Sequence, residues 1–291
     1  MDSPKDFFQR VAIIGLGLMG GSWGLALKRC GFAGRRVGCD RPEILQRALA
    51  KGAVDEVAED LDATVAAADL VILATPVGAI LDLLPRLRDA APKRALITDV
   101  GSTKRLICQR AHEILGEEPL FLGGHPLAGK ERSGIEQADG ELFQNARYVL
   151  TPVAPAHTSD IRVKTFMTLL EAVGARPYVA EASSHDRAVA FLSHLPQLVS
   201  SGLASLVAEE SAGGQLPLEL AAAGFRDVTR LAEGPYSVWR DICLTNIENI
   251  QRALEALIEK LESMKVHLTD RELEHDFKQA AKLREKLRGL S

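Results

Sequence analysis

The sequence predicts an α/β fold, in which a doubly wound, mostly parallel sheet is followed by an all-helical C-terminal domain. Three observations predict it. A glycine-rich turn follows the first apolar run, strand and helix patterns then alternate, and the strand signal disappears in the last third of the chain. We therefore expect an α/β domain over residues 1–181 and a helical domain over residues 182–291.

The first turn has the spacing of a dinucleotide-binding motif of the Rossmann type. An apolar strand, Val11–Ile14, leads into the segment Gly15-Leu16-Gly17-Leu18-Met19-Gly20, and a helical pattern follows it. The first glycine permits a tight turn, the second lets a pyrophosphate approach the backbone, and the third lets the helix pack against the sheet. The N–H groups and the positive dipole end of that helix would face the phosphates.

An acidic residue follows the second strand where a ribose-binding carboxylate is needed. Strand Arg36–Cys39 delivers Asp40, whose carboxylate can accept hydrogen bonds from the adenosine ribose hydroxyls. A carboxylate there repels a 2′-phosphate, so we expect NAD as the cofactor. Arg41 beside it could still attract that phosphate, which leaves some use of NADP open. The other expected cofactor contacts are Thr75, Pro76 and Gly101.

Strands and helices alternate with short connections through the first part of the chain. Continuous apolar runs such as Asp69–Thr75 and Ala95–Val100 are typical of strands buried on both faces of a sheet. The alternation predicts right-handed crossovers. The other predicted strands are Ala53–Val57, Leu120–Gly123, Tyr148–Thr151 and Arg176–Val179, and the predicted helices are Met19–Cys30, Pro42–Lys51, Leu81–Ala90, a stretch from Ser102 to Leu115, and Asp160–Val173.

From about Ser183 onward the sequence predicts helices alone. A long helix covers Ala188–Leu206, and apolar residues recur at three- and four-residue steps between Leu254 and Leu268. The segment Thr269–Glu272 fits a capping box that would start a last helix. The apolar surface of these helices exceeds what one small domain can cover, so we expect a homodimer that forms through them.

Charge and cysteine content argue against several classes of function. A net charge of −4 at pH 7 and an isoelectric point near 6.0 disfavour nucleic acid or an anionic membrane as the partner. We find no leader-peptide pattern and no apolar run that approaches membrane-spanning length. The 4 cysteines are scattered, which indicates neither a metal site nor a disulfide framework. We therefore expect a cytoplasmic protein that acts on a small molecule.

His125 is the leading candidate for an acid or base beside a carbon that exchanges hydride. It follows a buried strand at the expected carboxyl edge of the sheet, where open α/β sheets bind their ligands. Pro126 restricts its backbone to an extended geometry. Ser102 follows the neighbouring strand at the same edge, where it could cap the next helix, orient the imidazole of His125, or do both.

Two arginines in the helical part suit an anionic substrate. Arg226 and Arg230 are four residues apart, so on a helix their guanidinium groups would project from one side. Each can bind a carboxylate through two parallel hydrogen bonds, although surface ion pairs with Asp227 or Glu233 are the alternative. His194 lies on an apolar helix, which leaves both a hydrogen-bonded core position and a substrate contact open.

Several short segments match one known family in the same order. Gly123–Glu131 contains His-Pro-Leu-Ala-Gly, and Gly224–Arg230 contains Gly-Phe-Arg-Asp. With these segments the chain resembles the prephenate/arogenate (cyclohexadienyl) dehydrogenase family of tyrosine biosynthesis. The His-Pro-Leu-Ala-Gly and Gly-Phe-Arg-Asp segments are far more specific than the glycine motif, which many dehydrogenases share. The other matching segments between Val11 and Asp241 are Thr98–Lys104, Ser184–Asp186, Ser193–Pro196 and Trp239–Asp241.

The resemblance implies an oxidoreductase that carries out NAD(P)-dependent oxidative decarboxylation. Prephenate would give 4-hydroxyphenylpyruvate, and arogenate would give tyrosine. His125 matches the catalytic histidine that takes the proton of the ring hydroxyl, and Ser102 matches the serine that supports that contact. Arg230 matches an arginine that binds a substrate carboxylate, with Arg226 assisting it. Glu131 matches an acidic residue near the entrance of the active site.

One position departs from the family's pattern. Many members carry a second histidine where this chain has Gln197, in the segment that begins at His194, which the resemblance places at the substrate. A histidinium would attract the carboxylate of the substrate side chain, whereas a neutral amide can both donate and accept. We expect prephenate as the substrate because the family most often acts on it, with arogenate or both as the alternative. Lys130 could add positive charge to the cleft or be solvated.

Two other functions compete with this interpretation. A β-hydroxyacid dehydrogenase also joins a dinucleotide-binding domain to a helical one, but it needs a catalytic lysine for which the helical part offers no matching context. A non-catalytic NAD-sensing protein would not need His125, Ser102 and Arg230 at one crevice.

Overall fold

The computed structural model describes residues 7–130, 132–212 and 216–289, and its strands form one eight-stranded sheet. In chain order the strands are β1 (Arg10–Ile14), β2 (Arg35–Cys39), β3 (Glu56–Ala58), β4 (Leu70–Leu73), β5 (Leu96–Asp99), β6 (Leu120–Pro126), β7 (Arg147–Pro152) and β8 (Arg176–Val179). Across the sheet their order is β3-β2-β1-β4-β5-β6-β7-β8. Only the β6–β7 pair is antiparallel among these strands.

Helices connect the strands and then continue alone after β8. In chain order those of the described residues are α1 (Leu18–Arg29), α2 (Pro42–Lys51), α3 (Leu61–Val65), α4 (Val77–Ala90), α5 (Arg105–Leu115), α6 (Ile161–Ala172), α7 (Ala182–Val189), α8 (Leu195–Ala212), α9 (Ala223–Thr229), α10 (Tyr236–Thr245), α11 (Ile247–Val266) and α12 (Arg271–Arg288). The predicted fold class, a mostly parallel doubly wound sheet followed by helices, is confirmed.

Backbone contacts divide the chain into two compact units, residues 1–246 and residues 247–291. The first contains the sheet and the helices through α10, and the second contains α11 and α12. In the second unit, Asp270 caps α12 by accepting a hydrogen bond from the backbone N–H of Glu272 at 2.9 Å. The predicted capping box was therefore wrong by one residue, since it placed Thr269 at the cap. The predicted functional boundary between residues 181 and 182 stays a prediction.

Apolar side chains cover both faces of the sheet. Alternate residues of β1 enter different clusters, with Val11 and Ile13 on one face and Ala12 and Ile14 on the other, as the two-residue period of a strand requires. On the first face, Trp23 of α1 packs against an aromatic cluster at ring-centroid distances of 5.4 to 5.8 Å: Phe143, Tyr148 and Phe166. Burial on both faces explains why the central strands are continuous apolar runs.

Several predicted boundaries differ from the observed ones. Helix α4 begins at Val77 directly after Pro76, although the sequence pattern started it at residue 81. Strand β6 continues past the predicted end at residue 123, because residues 122–126 pair with β7. Helix α3 was not predicted. The long apolar helix spans α7 and α8, which a π-helical turn, Ala190–His194, joins.

One helical stretch of the described residues, Ala182–Ala212, is long and apolar enough to cross a membrane by length and composition alone. The sequence reading did not expect such a stretch. Polar side chains that are buried in the protein lie along it, including Asp186, His194, Gln197 and Ser200. Ionisable side chains that are buried against other parts of the same chain are typical of a helix that packs within a protein.

A buried ion pair holds the ends of β5 and β6 together. The ammonium of Lys104 contacts the carboxylate of Asp99, and both side chains are fully buried. Asp99 also accepts the N–H of Gly124 at 3.0 Å and that of Gly101 at 2.8 Å, while Lys104 donates to the carbonyl of Gly124 at 2.8 Å. Gly124 is thus held at both of its backbone polar groups. A Cβ there would lie 2.5 Å from the carbonyl oxygen of Asp99, so a glycine is required.

Replacing Lys104 with methionine should destabilise the fold, because it leaves the carboxylate of Asp99 buried without its cation. Removing one partner of a buried pair costs about 3–5 kcal/mol, and urea unfolding should show a loss of that size in the free energy of unfolding. Lys164→Met removes an exposed lysine of α6 and is the matched control, with an expected change within about 0.5 kcal/mol. Equal stability of the two variants would contradict the structural role of the pair.

Candidate active site

The glycine motif forms a tight turn between β1 and α1. Gly15 has φ of +90°, and a Cβ there would lie 2.8 Å from the carbonyl oxygen of Ala74. A Cβ on Gly20 would lie 1.8 Å from the carbonyl oxygen of Gly15. Beyond Gly17, its two chain neighbours and the adjoining helix backbone, no heavy atom of the described residues lies within 4 Å of a Cβ built on Gly17. Gly15 and Gly20 are therefore required by contacts within the protein, whereas the missing side chain of Gly17 leaves open space beside the backbone.

The turn opens helix α1 without a side-chain cap in the described part of the chain. Gly17 is the N-cap of that helix. The first N–H groups of a helix lack intrahelical partners, and a phosphate can satisfy them. The hydroxyl of Thr75, at the end of the neighbouring strand β4, is buried with no hydrogen-bond partner among the described residues. These groups fit a dinucleotide, and Leu18 and Met19 occupy the first helical positions.

Asp40 follows β2 as predicted, and its carboxylate also forms a hydrogen bond to the glycine turn between β1 and α1. One carboxylate oxygen accepts the N–H of Leu16 at 2.6 Å, and the other accepts the N–H of Arg41 at 2.7 Å. A carboxylate can accept about four hydrogen bonds, so lone pairs remain for a ribose. The guanidinium of Arg41 is exposed and lies 3.6 Å from Glu43.

His125 lies within β6, paired in register with Val149, instead of following the strand. Its Nδ1 is 2.8 Å from Nε2 of His185, and the Nδ1 of His185 is 2.8 Å from a carboxylate oxygen of Asp186. The carboxylate of Asp186 accepts the N–H of Lys104 at 2.7 Å and that of Arg105 at 2.9 Å. His185 and Asp186 are 5% and 0% exposed. We call these three side chains the His125–His185–Asp186 triad.

The environment of the triad favours a neutral imidazole on His125. Burial lowers the pKa of His125 well below its usual 6.5, and the neighbouring His185, Lys104 and His194 lower it further. Burial also lowers the pKa of His194 to about 4, against the opposing effect of Asp186. At neutral pH both rings are therefore uncharged and able to accept a proton.

His194 lies beside the triad, at the end of the π-helical turn. Its Nδ1 is 3.3 Å from the amide nitrogen of Asn246, which donates to the backbone carbonyl of Asp186 at 2.8 Å. The ring stands edge-on to Trp239, with 5.9 Å between the centroids. His194 is thus a buried, hydrogen-bonded histidine, and its contact with a substrate stays a prediction.

Gln197, Arg226 and Arg230 lie in the helical part of the chain that follows β8. The amide of Gln197 donates to the carbonyl of Leu231 at 2.6 Å and to the hydroxyl of Ser201 at 3.2 Å. Gln197 therefore links α8 to the short turn that begins at Arg230. Arg226 lies in the last turn of α9, and Arg230 follows that helix directly; both residues are exposed.

Two other predicted residues, Ser102 and Lys130, lie in loops of the described part of the chain. Ser102 is half-buried after β5, but α5 begins only at Arg105, so Ser102 is not its cap; the carboxylate of Asp186 binds the first N–H groups of that helix instead. Lys130 donates to a carboxylate oxygen of Asp139 at 3.0 Å and to the carbonyl of Gln137 at 3.2 Å. Glu131 lies outside the described residues.

Sequence reasoning missed two carboxylates that join the helical segment to the starts of α5 and α4. It treated His185 and Asp186 as residues of a helix start, although both are buried, His185 contacts His125, and Asp186 contacts His185. It assigned nothing to Asp241, which accepts the N–H of Gly78 at 2.9 Å in the first turn of α4. The segments that contain them were part of the family resemblance, which was the available signal; their partners are 82 and 163 residues away in the chain.

Comparisons with known proteins identify the family. A family model described as the nucleotide-binding domain of prephenate dehydrogenase matches residues 23–179, and one described as its dimerization domain matches residues 181–286. The chain belongs to the prephenate dehydrogenase family. The predicted family and the oxidoreductase class are thereby confirmed, and this membership favours neither of the two competing functions.

Individual relatives agree with the family models. Prephenate dehydrogenase of Lactococcus lactis is 34% identical over 282 residues, which cover 95% of this chain and 77% of the relative. A crystal structure of prephenate dehydrogenase from Aquifex aeolicus with hydroxyphenyl propionate and NAD+ superposes with a TM-score of 0.87 at 30% identity, covering 97% of this chain and 98% of the other. Synechocystis arogenate dehydrogenase gives a TM-score of 0.79 at 31% identity, with 96% and 99% covered.

Gly17→Ala and Gly20→Ala should separate cofactor contact from folding. The Gly17 variant meets no described atom, so its free energy of unfolding should stay within about 1 kcal/mol of the parent. Its affinity for NAD, measured by calorimetry, should fall by about tenfold or more, or about 1.4 kcal/mol, because the methyl group fills the space where the pyrophosphate approaches. Gly20→Ala should instead lose roughly 3 kcal/mol of stability. Unchanged NAD affinity in Gly17→Ala would contradict the predicted approach.

Proposed function

We propose that this protein is an NAD-dependent prephenate dehydrogenase, which converts prephenate to 4-hydroxyphenylpyruvate and carbon dioxide. Family membership supports the reaction class. The single observation in the structure that carries the proposal is the place of His125: its imidazole lies at the carboxyl end of β6, on the same sheet edge as the glycine turn, where it contacts His185 and burial lowers its pKa. A general base with a depressed pKa at this edge suits proton removal from a hydroxyl.

The chemistry balances with one proton acceptor and one hydride acceptor. NAD, when bound, accepts the hydride from the ring carbon that bears the hydroxyl. His125 takes the hydroxyl proton as the carbon–oxygen bond becomes a carbonyl. The ring carboxylate then leaves as carbon dioxide, the electrons of the broken carbon–carbon bond complete the aromatic ring, and the carbonyl oxygen regains a proton as a phenol. The protein's own residues therefore have to bind and orient the substrate and the cofactor and to accept one proton.

The remaining predicted residues bind the cofactor and substrate in this proposal. Around NAD we place the motif residues Gly15, Leu16, Gly17, Leu18, Met19 and Gly20, with Asp40, Arg41, Thr75, Pro76 and Gly101. The 2′-phosphate of NADP would meet the carboxylate of Asp40, which favours NAD; Arg41 leaves some use of NADP open. Ser102 supports His125 at the hydroxyl.

Cations from the helical part bind the two carboxylates of the substrate. Arg230 grips one carboxylate through paired hydrogen bonds, and Arg226 adds charge from the preceding turn. His194 and Gln197 line the substrate's helical side. The family resemblance assigns Glu131 to the entrance of the site, and Lys130, which pairs with Asp139, adds positive charge there.

A second candidate substrate is arogenate, which one observation favours. Both hydrogens of the Gln197 amide are used, by the carbonyl of Leu231 and the hydroxyl of Ser201. The amide oxygen that remains is an acceptor, and an acceptor suits the ammonium group of arogenate better than the keto group of prephenate. A relative of 31% identity is an arogenate dehydrogenase.

We further propose that residues 1–181 bind the dinucleotide, that residues 182–291 bind substrate and dimerise, and that the protein works in the cytoplasm as a homodimer. The matched dimerization model covers residues 181–286. Large apolar side chains are exposed along α11 and α12, and a second copy of the chain would cover them: Ile258, Leu261, Val266, Phe277, Leu283 and Leu287.

Purified protein should reduce NAD with prephenate, and a parallel assay with arogenate ranks the two substrates. His125→Asn should lower kcat by about 10²- to 10⁴-fold, because it removes the base, while NAD affinity stays within about threefold. His112→Asn changes an exposed histidine of α5 and serves as the matched control with parental kcat. Absorbance at the NADH band measures turnover. Parental kcat in His125→Asn, or no NAD reduction with either substrate, would contradict the proposed function.

A further inference from the structure

We propose that His185 is a positioning residue that holds His125 in the one tautomer whose Nε2 is the base, with Asp186 fixing the orientation and tautomer of His185. This inference rests on the proposed function, because it assigns a role through His125. It adds a residue that the sequence treated as part of a helix start. The argument depends on counting donors and acceptors along the triad.

The count begins at Asp186, where the donors are fixed. Its two carboxylate oxygens accept the backbone N–H groups of Lys104 and Arg105, which can only donate. The third partner is Nδ1 of His185, at 2.8 Å from the oxygen that also accepts from Lys104. An ionised carboxylate can only accept, so Nδ1 of His185 carries a hydrogen and donates it.

The same logic then fixes His125. When the ring of His185 is neutral with its hydrogen on Nδ1, its Nε2 has a lone pair and can only accept. The partner of that Nε2 is Nδ1 of His125 at 2.8 Å, so the hydrogen of this contact belongs to His125. A neutral His125 with hydrogen on Nδ1 has its lone pair on Nε2. Nε2 has no hydrogen-bond partner among the described residues and is available to a substrate hydroxyl.

The charges around the triad suit this assignment before and after proton transfer. The groups that face His125 are His185 from α7, Lys104 from the loop before α5, and His194 from the π-helical turn, and all of them lower its pKa. When the hydroxyl O–H bond breaks and an N–H bond forms at Nε2, His125 becomes a cation that still donates through Nδ1 to His185. The negative charge of Asp186 lies one ring away and stabilises that cation.

A purely local role for His185 leaves this geometry unexplained. Helix α7 is already capped by Glu181, whose carboxylate accepts the N–H groups of Ser183 at 2.8 Å and Ser184 at 2.7 Å. The helix therefore needs neither His185 nor Asp186 to begin. Asp186 has a second task as the acceptor for the first turn of α5, so a change there would disturb the fold. The test is therefore made at His185.

The direct test is a ¹⁵N NMR spectrum of the whole protein labelled at its histidines, at a pH where His125 is neutral. His125→Asn identifies the signals of His125 by their loss. The proposal predicts a protonated Nδ1 and an unprotonated Nε2 for His125. A protonated Nε2 with a bare Nδ1 in the parent protein would overturn it, and this readout needs no variant of His185.

Kinetics of His185 variants give the second readout. His185→Phe keeps the ring volume but cannot accept from His125, so kcat should fall about 100-fold and the His125 tautomers should become mixed. The side-chain oxygen of His185→Gln can still accept that hydrogen, so kcat should fall tenfold or less and the tautomer should be kept. His112→Phe is the matched control at an exposed site, and thermal unfolding checks that each variant is folded.

The outcomes separate this inference from the proposed function. If His125→Asn is inactive while folded His185→Phe keeps parental kcat and the parental tautomer, the positioning role is wrong and the proposed base stands. If His125→Asn keeps parental kcat, the proposed function itself is wrong. Equal losses in His185→Phe and His185→Gln with an unchanged tautomer would show a packing role and would also overturn the inference.

Discussion

The site depends on the carboxylate of Asp186. It accepts two N–H groups at the start of α5 and contacts Nδ1 of His185, so one side chain on α7 joins that helix to α5 and, through His185, to the proposed base. The carboxylate itself is fully buried, where hydrogen bonds to a charged group are strong and an unpaired group is costly. The proposed tautomer of His125 depends on this arrangement.

Two further contacts hold the same edge of the sheet. Asp99 and Lys104 fix both backbone groups of Gly124, the residue before His125. Asp241 binds the N–H of Gly78 at the start of α4, just after the strand end that carries Thr75. The helical segment therefore places carboxylates at the N-termini of two neighbouring helices, where the helix dipole favours negative charge. Open α/β sheets bind their ligands at this carboxyl edge.

The sequence predicted the features that depend on local chemistry or on a short motif. The glycine turn, the position of Asp40 after β2 and the buried strands follow from spacing, backbone freedom and apolar periodicity, and the structure has them. What local patterns could not reveal are contacts between distant segments. Ser102 looked like a helix cap, yet the cap of α5 comes from Asp186, 81 residues beyond Arg105. His185 and Asp186 looked like a helix start because nothing near them in the chain indicates His125 as their partner. Boundaries shifted for similar reasons, since pairing with β7 extends β6 through His125.

The pH dependence of kcat/KM tests the central claim, that His125 is a neutral base held by the triad, most directly. This ratio reports the ionisation of the free enzyme, which is the state described by the structure. A base must be unprotonated, and burial lowers the pKa of His125 below 6.5, so kcat/KM with prephenate should stay level from pH 8 down to 6.5 and fall only at lower pH. A decline in kcat/KM that begins above pH 6.5 would contradict the account. So would a fall at low pH that persists unchanged in His125→Asn.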